Sequence, residues 1–146
     1  MLYGNSPFTT AQVNADMLTP AMTFKSAVIS LRNISPGESV GYTSNWTSNR
    51  PSSIATITVG YGDGYPRHAP NGTPVLINNI RCPLVGRVSM DMITVDVTDL
   101  ESIEIGDEVT LWGPDLSVNE IAHHCDTIGY ELLTRMPSRV PRTYIN

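Results

Sequence analysis

The sequence predicts a mostly β domain, a Greek-key-like, partly open β-barrel with one or two short helices near the C-terminus. Three observations carry that expectation. From residue 22 onward, short β-prone runs alternate with Gly, Pro and Asn turn signals. Within the runs, apolar residues recur with a period of two, as half-buried strands require. Only beyond Trp112 does the pattern change to one that suits helices.

The first run, residues 22–31, reads as a strand with Ala27, Ile29 and Leu31 on one face, and Ser35-Pro36-Gly37-Glu38 turns the chain. Residues 52–59 form a second strand, with Ile54, Thr56 and Thr58 opposite Ala55, Ile57 and Val59. A glycine-rich loop follows, Gly60-Tyr61-Gly62-Asp63-Gly64-Tyr65-Pro66-Arg67. Runs 73–77 and 80–85 bracket Asn78-Asn79, the signature of a two-residue hairpin turn. Residues 88–97 alternate throughout, Ser89, Asp91, Ile93, Val95 and Val97 facing away from Val88, Met90, Met92, Thr94 and Asp96. Gly106-Asp107 turns into a strand over 108–112. Ser117 with Glu120 three residues on is a capping-box pattern, opening a helix to about Cys125. A second short helix over 130–135 stops at Pro137, and residues 140–145 return to strand. The two helices are placed to cap one barrel opening.

At 146 residues the chain suits one domain with one real core, and its 40% apolar content is that of a folded protein. Residues 1–20 are polar and irregular and read as a lead-in or linker, with the β domain spanning 21–146. A net charge of -5 and eight scattered arginines give no support for nucleic-acid binding. No apolar run approaches the roughly 20 residues of a membrane span, and the N-terminus lacks the pattern of a signal peptide. Cys82 and Cys125 lie far apart and form no CxxC pair, which suits a reduced, cytoplasmic setting. His123 and His124 are adjacent, so on a helix they diverge, and no metal site is indicated. Lys25 is the only lysine and lies near the start of a strand, where a solvated face is the ordinary role. Chemistry needing a Schiff-base lysine must bring it from elsewhere.

Three segments are unlike ordinary turns: Val40-Gly41-Tyr42-Thr43-Ser44-Asn45-Trp46, the 60–67 loop, and Gly86-Arg87-Val88-Ser89-Met90-Asp91-Met92. Each has an ordinary reading. Tyr42 can be a barrel-edge aromatic whose hydroxyl meets water. The glycines at 60, 62 and 64 can merely permit a wide turn, since no helix start follows them as a phosphate site would need. Met90 and Met92 can be core fillers, and Arg87 with Asp91 a structural ion pair. Together they weigh differently, because tyrosine, arginine, aspartate and glycine recur in loops that a barrel gathers at one rim.

With these motifs in this order, closed by Ser138-Arg139-Val140-Pro141-Arg142, the whole chain resembles the C-terminal domain of bacterial alanine racemase, a pyridoxal-phosphate-dependent isomerase. The resemblance implies a cofactor-binding N-terminal barrel outside this sequence and a homodimer in which each active site joins one subunit's barrel to the other's β domain. It implies that Tyr42 adds or removes the Cα proton on one face of the amino-acid substrate, with a lysine of the barrel on the other. Racemisation needs an acid/base group on each face of a planar carbanion, which the cofactor delocalises. A free phenol has a pKa near 10, so a tyrosine base needs cationic or hydrogen-bonding help, here from the other domain. Met90 matches the position whose backbone N–H contacts the substrate carboxylate, so its side chain matters little. Tyr61, Arg67 and Arg87 match an entry corridor whose cations would draw in a carboxylate, and Asp91 a supporting partner behind it. Ser138 departs from the pattern, standing where some members have a gate-narrowing tyrosine.

The leading expectation is thus a domain of an enzyme interconverting L- and D-alanine, inactive alone, the D-alanine serving peptidoglycan synthesis. A racemase for another amino acid such as serine uses the same chemistry. Related decarboxylases carry a cysteine in an acidic motif that neither Cys82 nor Cys125 resembles. The non-enzyme alternative is a stand-alone β-barrel interaction module, which predicts no exposed apolar face.

Overall fold

The alternation of apolar and polar residues between turn formers yields eight strands in the computed structural model, which describes residues 3–7 and 18–145. They are β1 (Phe24–Ile34), β2 (Ser39–Val40), β3 (Trp46–Thr47), β4 (Ser52–Ile57), β5 (Pro74–Ile77), β6 (Ile80–Pro83), β7 (Ile93–Asp96) and β8 (Glu108–Trp112). Two helices follow, α1 (Val118–His124) and α2 (Gly129–Thr134). Six strands form one antiparallel sheet in the order β6-β5-β8-β1-β4-β7, and β2 with β3 makes a separate ribbon. Just beyond β6, Leu84 bridges Val95 of β7, and the Val85 N–H donates to the Thr94 carbonyl at 2.9 Å. That contact brings the sheet edges together, and the expected mostly β, barrel-like fold is borne out.

β1 shows how the barrel turns its corner. Its first half pairs with β8 and its second with β4, and the register slips between Val28 and Ser30. An extra residue in a strand reverses the inward and outward parity beyond it. Phe24 and Val28 are therefore the buried residues of the first half, while Ile29 is 43% exposed. This overturns the expected common face of Ala27, Ile29 and Leu31; only Leu31, beyond the bulge, packs on the core. β4 keeps its two faces: Ala55 and Ile57 enter the main core, and Ile54 enters a smaller cluster behind it.

The core runs through Val28, Ile57, Val75, Ile77, Ile93, Val95 and Leu111 to an aromatic group in which Trp112 lies against both Phe24 and Tyr65. Leu116, Ile121 and Leu132 bring α1 and α2 onto the same core. Each such side chain stabilises the fold by roughly 1.5–3 kcal/mol when fully buried. The Asn78-Asn79 turn has both residues at positive φ (49° and 64°), the mirror-image turn that suits strand twist.

Three expectations are corrected. The strand over 88–97 contracts to Ile93–Asp96, because the Ser89 hydroxyl donates to the Met92 carbonyl and accepts the Met92 N–H, closing a local turn. Residues 140–145 form no strand; they contain Pro141, which has no N–H for a ladder, and 141–145 are exposed. Ser117 does cap α1, accepting the Asn119 N–H, but Glu120 does not reach back to it; its carboxylate pairs with Arg81 on β6 instead. Of the lead-in expected over residues 1–20, residues 1–2 and 8–17 lie outside the described ones. The described part packs on the helices: Asn5 is buried, its carbonyl accepts the Tyr130 hydroxyl at 3.0 Å, and Asn119 donates to the Ser6 carbonyl.

Candidate functional site

Tyr42 sits at the tip of the β2–β3 ribbon. The ribbon is held to the barrel by a small cluster of its own, Val40 and Trp46 against Ile34, Ile54 and Val85. Val40 is buried, so the tip is pinned at its base while Tyr42 stands 67% exposed. The tip backbone is unusual. Gly41, Thr43 and Ser44 all have positive φ (82°, 61° and 51°). A β-branched threonine there is an outlier, and such strain persists only where surrounding contacts impose it. The imposing contact is visible at Gly41: a Cβ there would come within 2.7 Å of the Arg87 nitrogen and 2.9 Å of the Gly86 Cα. Only two glycines can cross this closely.

The second segment docks on the third. Residues Tyr61–Asp63 form a single 3-10 turn, in which Tyr61 N–H donates to the Ser89 carbonyl (3.0 Å) and Gly62 N–H to the Met90 carbonyl (2.8 Å). A Cβ on Gly60 would meet the Ser89 oxygen at 2.3 Å, so this glycine serves close approach and no left-handed turn. The Arg67 guanidinium lies 5.9 Å above the Tyr61 ring centre, a cation–π distance. The three loops singled out in the sequence therefore touch in series, 41 on 86–87 and 60–62 on 89–90.

Met90 and Met92 are about half exposed, which sets aside their reading as core fillers. The Met90 carbonyl is engaged by Gly62, whereas its N–H donates to no group among the described residues. Arg87 is exposed and does not pair with Asp91. Asp91 binds Arg139 instead, at 2.6 Å, and Arg139 also donates from Nε to Asp63 at 2.8 Å. The two carboxylates, Asp91 first and then Asp63, hold the guanidinium pKa above its ordinary value. Lys25 lies elsewhere, paired with Glu108 at 2.7 Å on the outer face.

Three residues of this arrangement escaped the sequence reading as site components. In the sequence Arg139 and Asp63 stand only as parts of motifs. Asn71 belongs to no motif, yet its side chain accepts the Gly86 N–H (2.8 Å) and donates to the Asn45 carbonyl (3.1 Å). Asn71 stands before a glycine of positive φ, a common turn pattern whose long-range role pairwise reading does not reveal. No described helix is long and apolar enough to cross a membrane.

Taken together, an exposed phenol, a backbone N–H unengaged among the described residues and two exposed arginines border one set of interlocked loops. Such groups can move a proton and receive an anion. Comparison with known proteins agrees on kinship. The family profile described as alanine racemase, C-terminal domain, matches residues 21–144. The chain is 58% identical over its full length to an alanine racemase of Pseudoalteromonas atlantica, of which it covers 39%. It superimposes on the biosynthetic alanine racemase of Pseudomonas aeruginosa with a TM-score of 0.96 at 50% identity, covering 99% of this chain and 40% of that one. An alanine racemase of Bartonella henselae with covalently bound pyridoxal phosphate gives a TM-score of 0.90 at 37% identity, again over 99% and 40%. The chain thus spans about two fifths of the length of the relatives it matches.

Proposed function

Because this chain belongs to the alanine racemase C-terminal domain family, we propose that it supplies one proton carrier and part of the substrate site to an alanine racemase whose remaining residues lie outside it. Tyr42 is the carrier: its phenolate oxygen takes the Cα proton from one face of alanine, and the phenol hydroxyl so formed returns a proton to that face. The observation that carries this reading is the seating of a strained, exposed Tyr42 tip on the same segment that leads to the unengaged Met90 N–H.

Each group has a separate task. The Met90 N–H binds the substrate carboxylate through the backbone, so the side chain is free to vary. Arg87 and Arg67 line the approach and attract that carboxylate, with Tyr61 as the wall over which Arg67 lies. Asp91 acts behind them, through Arg139.

Pyridoxal phosphate, when bound, supplies the electron sink that makes the Cα proton removable. This chain's residues do not fit as its anchor, since Lys25 is ion-paired to Glu108 away from the loops. The N-terminal domain of the whole enzyme holds the cofactor and presents the second proton carrier, a lysine, to the opposite face. In the homodimer the Tyr42 face meets the partner subunit's barrel. Tyr42, Tyr61, Met90 and Met92, all large and substantially exposed, border that face, and exposed apolar groups of this kind mark a docking surface. We assign the enzyme to the cytoplasm, a reducing setting that suits two unpaired cysteines, and its D-alanine to peptidoglycan synthesis by the family resemblance; alanine is preferred over serine on the strength of the relatives' names.

The test uses full-length enzyme in deuterium oxide. Tyr42→Phe should abolish Cα–H exchange from one enantiomer while the other still exchanges without inverting. Equal small losses from both enantiomers would reject a one-face role.

A further inference from the structure

We propose that the side-chain amide of Asn71 is a positioning element that fixes Tyr42 relative to the Met90 segment; this rests on the proton-carrier reading of Tyr42. The amide spans the two loops that must stay in register. Its oxygen accepts the Gly86 N–H at 2.8 Å, and its nitrogen donates to the Asn45 carbonyl at 3.1 Å. Gly86 lies one residue before Arg87, on the segment leading to Met90, and Asn45 closes the turn that carries Tyr42. Both partners are backbone groups of fixed polarity, so the amide orientation is set by the bonds it makes.

The platform beneath Asn71 is firm. The Thr73 N–H and hydroxyl both return to the Pro70 carbonyl (3.2 and 2.8 Å), closing the turn in which Asn71 sits. The Gly72 N–H donates to the Leu84 carbonyl at 2.8 Å, and Thr73, itself buried, accepts the Leu84 N–H at 2.8 Å. Leu84 is the residue that bridges to Val95 and draws the barrel shut. Asn71 is therefore mounted on the closing seam and reaches outward to both loops. The tight Gly41–Gly86 crossing leaves no slack between them, so a displaced Asn45 carbonyl must shift Tyr42 as well. No other side chain serves equally. A carboxylate keeps the acceptor but points charge at the Asn45 carbonyl, and glutamine is one methylene too long for this geometry.

Full-length, cofactor-loaded enzyme carrying Asn71→Asp, Asn71→Ala or Tyr42→Phe is compared for Cα–H exchange in deuterium oxide from each enantiomer. Asn71→Asp should slow exchange by roughly 10-fold or more from the enantiomer that Tyr42→Phe blocks, the scale of a sub-ångström misplacement, and leave the other unchanged. Asn71→Ala should show the same asymmetry and also raise KM, because the Gly86 bond is lost and the Met90 segment loosens. If Asn71→Asp does not fold, Asn71→Ala carries the comparison. Equal slowing of both enantiomers, or of neither, with Tyr42→Phe still asymmetric, overturns the positioning role alone. A symmetric Tyr42→Phe removes the underlying reading and this inference with it.

Discussion

Arg139 and Asp91 lie 48 residues apart in sequence and meet with Nη2 2.6 Å from Oδ1. The same guanidinium donates from Nε to Asp63 at 2.8 Å. One side chain thereby joins the irregular C-terminal segment to both the 61–63 turn and the 89–92 turn. Gly62 makes room for it, since a Cβ there would fall 2.9 Å from the Arg139 Nη2.

Replacing Arg139 tests what this junction does. Arg139 and Asp91 are exposed enough that solvent screens their pair, and the less exposed Asp63 still accepts the Gly60 N–H at 2.9 Å when the guanidinium is gone, so little stability rests on the junction. Arg139→Ala should therefore leave the thermal midpoint of the domain almost unmoved. In the full-length enzyme it should lower kcat/KM, up to roughly 100-fold if the supported loop shifts by an ångström. Arg139→Lys should rescue poorly, because a point ammonium cannot reproduce the fork that reaches two carboxylates. Steady-state kinetics beside a melting curve separates the two effects; a large drop in midpoint would make the junction a fold element instead.

Gly41→Ala should be severe where an ordinary loop glycine would be lenient. At φ 82° and ψ 174° Gly41 occupies a region essentially confined to glycine, where an L side chain costs on the order of 1–3 kcal/mol by itself. Its Cβ would also strike the backbone of residues 86–87, which cannot rotate aside. Denaturant unfolding should show the loss, and Gly37→Ala is the control. Gly37 has a similar φ of 88° with nothing near its missing Cβ, so it should cost the strain alone.

The pattern of these contacts explains what was legible in the sequence. Local signals were sound where local physics decides: the Asn78-Asn79 turn, the Ser117 cap and the alternation of β4 all stand. They failed where a distant partner overrides the period. Ile29 is expelled by a bulge that lets β1 serve two neighbours, and Glu120 leaves its cap for Arg81. Residues 88–92 alternate like a strand, yet Ser89 folds them into a turn. The motif loops could be named from sequence, but their order of contact, and Asn71 and Arg139 as the links, depend on residues brought together only by barrel closure.

Tyr65 stands in the glycine-rich loop between Gly64 and Pro66, and is a core residue in the fold. It is 1% exposed and nearly parallel to Trp112, with ring centres 6.3 Å apart. Its hydroxyl has no hydrogen-bond partner among the described residues. A buried, unsatisfied hydroxyl costs about 1–3 kcal/mol. Tyr65→Phe keeps the stacked ring and removes that cost, so the domain should become more stable, by roughly 1 kcal/mol, with exchange at Cα untouched. A destabilised variant would mean that the hydroxyl is satisfied in solution.

Alkaline pH should unfold the domain through its buried acids. Burial first, then the charge of Asp96, pushes the Cys82 thiol from an ordinary 9.0 to about 11. Burial alone does the same to Cys125, to about 11. Burial, and secondarily Cys125, raises the Tyr65 phenol as well. The unfolded chain releases these thiol protons near 9, while the folded one retains them. Above that pH the native state binds more protons than the unfolded state, so stability falls as pH rises. The thiol contribution is complete below about pH 9 and lost by about pH 11. Each thiol tilts the curve by up to about 1.4 kcal/mol per pH unit inside that window. Unfolding midpoints measured from pH 8 to 11 should therefore decline more steeply for the wild type than for a Cys82→Ala, Cys125→Ala double variant. That variant starts lower but lacks both titrations, so parallel curves would show that the thiols are already solvated in the native state.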